Sequence, residues 1–178
     1  QDEGQTWSDP EMVTPEGSLR AGEAKVAIDS KGKVYVTYSA DVPLMSVHVE
    51  LRTREDTGWS EPFIVSGDMQ GAYHNYIFID KTDKITCIWY SQFYGTHFYV
   101  RTYENNQWSD IYAPYENDGK QVIRDFILEP NTGDIYGLIE LNLSNNYWNL
   151  ALCHYRNLND YWVPLYPDTV CANKASLL

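Results

Sequence analysis

The chain has 178 residues and a formal net charge of −12, with 43% hydrophobic and 15% aromatic residues. That acidity excludes a protein that grips nucleic-acid phosphates, which needs clustered Lys and Arg, and the aromatic content excludes disorder over most of the chain. No apolar run approaches the ~18 residues that signal a membrane-spanning helix, and the length suits one domain.

The first residues, Gln1-Asp2-Glu3-Gly4-Gln5, lack the basic start and apolar core of a signal peptide. Either the protein is cytoplasmic or its signal has been removed. The Gln start, together with abundant Tyr, Trp and Asn beside modest Lys, favours a secreted, periplasmic or cell-surface protein.

Along the chain a Trp followed by a small or polar residue and then an acid or Pro recurs. The copies are Trp7-Ser8-Asp9-Pro10, Trp59-Ser60-Glu61-Pro62, Trp108-Ser109-Asp110 and the degraded Trp162-Val163-Pro164, at intervals of 52, 49 and 54 residues. A second anchor, an apolar strand ending in an acid, runs in step: Val26-Ala27-Ile28-Asp29, Ile77-Phe78-Ile79-Asp80 and Phe126-Ile127-Leu128-Glu129, at intervals of 51 and 49. Two anchors sharing one period define a structural repeat.

Each copy reads as four short strands. The apolar runs alternate, favour β-branched and aromatic residues, and are bounded by Gly, Asp, Asn and Pro. The predicted strands are 24–28, 34–38, 47–53 and 59–65 in the first unit, 76–79, 85–90, 98–103 and 108–113 in the second, and 125–128, 135–139, 148–155 and 162–166 in the third. The units span 22–66, 71–115 and 120–167. Residues 7–13 match a fourth strand whose first three are missing, and 168–178 form a tail. A four-stranded antiparallel unit of this length is a β-propeller blade. The expected fold is therefore all-β, a partial propeller of three blades plus an extra N-terminal strand. At 178 residues it is half of a ring of about six blades, which suggests a homo-oligomer, specifically a dimer.

The pattern of apolar strand, Asp, turn, second apolar strand and then Gly-Trp-Ser-x-Pro resembles the sialidase-like propellers with bacterial-neuraminidase or Asp-box repeats. Thr53-Arg54-Glu55-Asp56-Thr57-Gly58-Trp59 is a shortened Asp-box between third and fourth strands, and Thr102-Tyr103-Glu104-Asn105-Asn106-Gln107-Trp108 is a more eroded one. The resemblance covers most of residues 6–167. It implies a ligand site over the central axis, lined by the starts of the first strands and the loops after the second strands. Fold alone does not fix activity.

Aligned on the acids, the first group is Gly22-Glu23-Ala24-Lys25, Tyr73-His74-Asn75-Tyr76 and Val122-Ile123-Arg124-Asp125. The second is 39–46, Ser91-Gln92-Phe93-Tyr94-Gly95 and 142–148. These positions diverge while the framework repeats, which makes Glu23, Tyr73, His74, Asn75, Phe93, Tyr94, Arg124, Asp125, Tyr147 and Trp148 the candidate ligand-binding residues. By contrast Arg52 and Arg101 each lie seven residues before their Trp, and Arg156 six, so all three belong to the framework, as do His48 and His97, eleven before theirs. A sialidase, by the resemblance, grips its substrate carboxylate with three arginines. Arg20 and Arg124 lie outside that shared framework, too few for the three. His74, Tyr73, Arg124 and Asp125 are the catalytic candidates for a lyase, in which Arg neutralises a uronate and His or Tyr takes the proton.

The same residues suit sugar binding, where aromatic rings stack on pyranose faces and polar groups bond hydroxyls. The leading expectation is therefore a lectin-like module with a glycan ligand. A hydrolase or lyase acting on acidic glycans and a non-catalytic protein-interaction scaffold are the alternatives. No Cys or His spacing matches a zinc site and no Gly-rich phosphate loop is present, so no metal or cofactor is expected. Asn131-Thr132-Gly133-Asp134 reads as a β-turn rather than a calcium loop, and Asn142-Leu143-Ser144 is a formal glycosylation sequon. Cys87 lies in a core strand as a buried thiol, and Cys153 with Cys171 is the one disulfide pairing considered.

Overall fold

The computed structural model describes residues 6, 8–18, 20–42, 46–91, 93, 97–114, 120–142, 148–156 and 161–164. These form thirteen strands. The described residues contain no helix, and no helix is long and apolar enough to cross a membrane. The first sheet runs in the order β1 (Ala21–Ile28), β2 (Val34–Val42), β3 (Ser46–Glu55) and β4 (Gly58–Trp59), with β5 (Phe63–Ile64) also paired to β3. The second is β6 (Ala72–Ile79), β7 (Ile85–Ser91), β8 (His97–Glu104) and β9 (Gln107–Trp108). The third is β10 (Lys120–Leu128), β11 (Ile135–Asn142), β12 (Trp148–Arg156) and β13 (Tyr161–Pro164). Every pairing is antiparallel between chain neighbours except β3–β5, and no sheet closes into a barrel.

All twelve strands expected within the three units are present, but each first strand begins three to five residues early. The reason is a β-bulge in the same place each time. Glu23 and Ala24 together oppose Tyr38, His74 and Asn75 oppose Trp89, and Ile123 and Arg124 oppose Ile139. An extra residue breaks the two-residue alternation that marks a strand, so the pattern is hidden upstream of it. The expected fourth strands over 59–65 and 108–113 are both interrupted. β4 and β5 stand apart in the first unit, and in the second β9 stops at Trp108 with Tyr112 bridged singly to Val100, because a Ser hydroxyl rather than a backbone carbonyl takes the third-strand amide there. Residues 8–13 form no ladder at all. A fourth strand needs the third strand of its own sheet, and for this segment that strand is not among the described residues.

The acid that ends each first strand caps the following turn. The Asp29 carboxylate accepts from the amides of Lys31 and Lys33, at 2.9 and 2.8 Å. Asp80 does the same for Thr82 and Lys84. Glu129, one carbon longer, spans the longer turn and accepts from Asn131 and Thr132. The bonds from Thr132 hold the Glu129 carboxyl down at about 2. The repeated Trp-Ser has an equally local cause. The Ser60 and Ser109 hydroxyls each accept from a third-strand amide, Thr53 and Thr102, at 3.0 Å.

The sheets pack face to face, and the core lies in the two seams. Between the first and second sheets Val49, Leu51 and Val65 meet Ile77, Cys87, Trp89 and Tyr99. Between the second and third, Ile88, Phe98 and Val100 meet Phe126, Ile135, Ile139 and Cys153. Arg52 and Arg101 are indeed framework residues. Arg101 donates to Ser109 O and to Val65 O of the preceding sheet, both seen at 3.0–3.1 Å. Arg52 donates to Ser60 O and to Val13 O. Arg156 is not their counterpart. By register that place belongs to Cys153, opposite Gly137, just as Arg101 is opposite Cys87 and Arg52 opposite Val36. The third sheet's last hairpin is longer, which carries Arg156 to the turn, opposite Tyr161. Cys87 and Cys153 are buried free thiols, pushed up to about 12 by burial. Cys153 donates to Gly137 O, and Cys171 lies outside the described residues.

Two outcomes follow from this packing. A Cβ at Gly137 would lie 2.1 Å from the Phe126 ring and 2.7 Å from Cys153 Sγ, so Gly137→Ala is expected to destabilise the fold by about 1–3 kcal/mol in urea titration, the usual cost of overpacking. Because Glu129 is depressed relative to its ordinary 4.5, its contribution is present above that value and lost as pH falls toward 2. The protection of the Thr132 amide relative to its intrinsic exchange rate should fall over that window, and Glu129→Gln should remove the dependence.

Candidate functional site

The bulges build the site. Register places equivalent residues of consecutive sheets side by side in three rows: Glu23–His74–Ile123, Ala24–Asn75–Arg124 and Lys25–Tyr76–Asp125. Glu23 and His74 both adopt positive φ, 54° and 50°. This left-handed conformation at the first bulge position turns their side chains out of the ladder.

The two residues meet across the seam. His74 N donates to Glu23 Oε2 at 2.6 Å, and the ring Nδ1 stands 3.1 Å from Oε1. Ser39 Oγ adds a longer bond to Oε2 at 3.4 Å. Both ionisable side chains remain partly exposed, so the pair contributes orientation more than stability. With Nδ1 held by the carboxylate, Nε2 is the ring nitrogen left to face a ligand.

Beneath them Asn75 is fully buried. Its amide nitrogen donates to Glu23 O at 2.9 Å and to Ser39 Oγ at 3.3 Å, and its oxygen accepts from Thr37 Oγ1 at 2.7 Å. Asn75 therefore locks the backbone of Glu23, a positioning role rather than a ligand contact. Glu23, Ala24, Lys25, His74, Asn75 and Tyr76 line a cleft of about 180 Å³. Lys25 Nζ stands 5.0 Å from the centre of the Tyr76 ring, a cation–π distance. Burial, with Asp125 and Glu23 nearby, raises the Tyr76 phenol above its ordinary value and keeps it protonated.

The other candidates are more dispersed. The Arg124 guanidinium is committed to Glu140 on its own sheet, and only its carbonyl, accepting from Tyr76 OH at 3.4 Å, joins the row. The Asp125 carboxylate folds back onto the Phe126 amide at 2.8 Å. Tyr73 is half-buried, opposite Tyr90. Phe93 is 63% exposed and its ring covers Gly71, where φ is 63° and a Cβ would lie 2.1 Å from the ring. Tyr94 and Tyr147 lie outside the described residues. Trp148 is described by its backbone, paired with Asn142. Thr37 and Glu140 were absent from the sequence-based set. Their signal was available in the alternation of β2 and β11, which points Thr37 and Ser39 to the same face as each other.

The cluster's architecture is testable without a ligand. Asn75→Ala leaves Thr37 Oγ1 and Glu23 O without their bonds in a buried site. It is expected to cost about 1–3 kcal/mol in thermal or urea unfolding, and to broaden the His74 ring resonances by NMR as the bulge loosens.

No family model matches the chain, and no curated protein matches it. Among solved structures it is similar to a protein of unknown function from Dyadobacter fermentans DSM 18053, with 13% identity and a TM-score of 0.57 over 81% of this chain. The chain spans about half of that structure, 53% of its length. At this identity the likeness bears on fold alone, and it supports an all-β chain of antiparallel sheets.

Proposed function

We propose that the three sheets are consecutive blades of a sialidase-like β-propeller, and that the face carrying the bulges binds carbohydrate as part of a secreted or cell-surface, lectin-like module. The blade reading is supported by the common period, the face-to-face seams and the bulge that recurs at one register position. The observation that carries the binding reading is the Glu23–His74 pair beside the cleft with Tyr76 and Lys25. It offers oriented donors and acceptors next to an aromatic ring, the combination that recognises a hydroxylated ring. Exposed Phe93 adds a stacking surface.

Binding to a broad glycan array, followed by calorimetry on the best ligand, is the test. His74→Ala is expected to weaken binding at least tenfold and Glu23→Gln several-fold, with the melting temperature little changed. An array on which the wild-type protein binds nothing overturns the reading.

One observation favours a second reading, an enzyme acting on glycans. A His with Nδ1 held by a carboxylate and Nε2 open is the arrangement of a general base. The arginines are engaged, Arg124 by Glu140 and Arg52 and Arg101 by backbone carbonyls, which leaves Lys25 as the cation in the cleft lining. Turnover of uronate polymers or sialosides, abolished by His74→Ala, would establish the enzyme. Turnover that survives that substitution would remove His74 from the chemistry.

A further inference from the structure

The two outer faces of the stack are matched to each other. Val26, Ile77 and Phe126 occupy one register position and face the preceding sheet. Ile77 and Phe126 are each 6% exposed in a seam, whereas Val26 is 64% exposed and Ile28, two residues on, 60%. Ala27, Phe78 and Ile127 occupy the next position and face the following sheet. Ala27 and Phe78 pack in the seams, whereas Ile127 is 66% exposed. The stack thus ends on one side with the surface that receives a sheet and on the other with the surface that a sheet offers.

The N-terminal segment says how the gap is filled. Arg101 of the second sheet holds Val65 O, at the end of the first sheet's outer strand. Arg52 of the first sheet holds Val13 O in the same manner. Val13 follows Trp7 by the same six residues that separate Val65 from Trp59. Residues 11–13 therefore lie where the outer strand of a preceding sheet belongs.

We propose that the occupant of both faces is a second copy of this chain. The third sheet of each copy packs on the first sheet of the other, with residues 11–13 lying at that junction under the Arg52 clamp. Met12, 78% exposed and aligned with Ile64 of β5, becomes part of the new seam. The result is a closed, two-fold ring of six sheets with no exposed sheet face. This inference rests on the reading of the sheets as consecutive blades and is independent of the ligand.

Light scattering on the 178-residue chain should give twice 20.6 kDa. The double variant Val26→Asp/Ile28→Asp and the single variant Ile127→Asp should each halve the mass, since every interface in the ring uses both faces. The altered side chains are exposed in one chain, so the far-ultraviolet spectrum should persist. Mixing the two variants should restore a mixed dimer through the one interface that retains both native faces. A wild-type monomer overturns the proposal, as does a dimer broken by Val26→Asp/Ile28→Asp but not by Ile127→Asp, which would be face-to-like-face. If both variants break the dimer but its small-angle scattering is elongated rather than that of a disc, the blade reading fails while the pairing of the two faces stands.

Discussion

A small four-stranded sheet with apolar side chains on both faces cannot hide either of them alone. That constraint governs this molecule. The hydrophobic contribution scales with area removed from water, and here that area is found in the seams between sheets. Face-to-face stacking makes each sheet's survival depend on its neighbours, as in other repeat architectures. It also explains why the polar framework is so repetitive. Turn-capping acids, Trp-Ser pairs and Arg clamps are local devices that shape one sheet to fit the next.

Much of this was legible in the residues. The strands follow from alternation and the turns from Gly, Asp and Asn, while the acid at the end of each first strand marked a turn before its bonds were seen. The bulge was not legible. Positive φ at Glu23 and His74 falls on residues that carry no glycine signal, and the inserted residue erases the alternation that would have revealed the strand around it. Arg156 shows a different limit. Counting from Trp162 treats all hairpins as equal in length, and the third is longer, so only the ladder identifies Cys153 as the true equivalent. The 8–13 segment carries the motif of an outer strand but forms no ladder, since a motif encodes a fit and not the partner that completes it.

For the site, divergence within the repeat picked out Glu23, His74 and Asn75, and register explains why they meet. They occupy the same pair of bulge positions in adjacent sheets. What sequence could not separate is contact from support. Asn75 reads as a polar ligand residue but is buried under Glu23, and Arg124 reads as a free cation but is bound to Glu140. Both outcomes depend on which side of a ladder a residue faces once an odd residue has been inserted.

Among the described residues the two seams carry different additions to their apolar cores. The first is further stitched by polar bonds: Thr37 to Asn75, His74 to Glu23, Ser30 to Asp83 and Arg101 to Val65. At the second, Cys153 stands where a guanidinium would clamp, and aromatic packing of Tyr76, Phe98 and Phe126 takes its place. Apolar association weakens on cooling while hydrogen bonds do not share that dependence. Both seams hold large apolar clusters, so on cooling the stack is expected to loosen between its sheets before the hydrogen-bonded ladders within them give way.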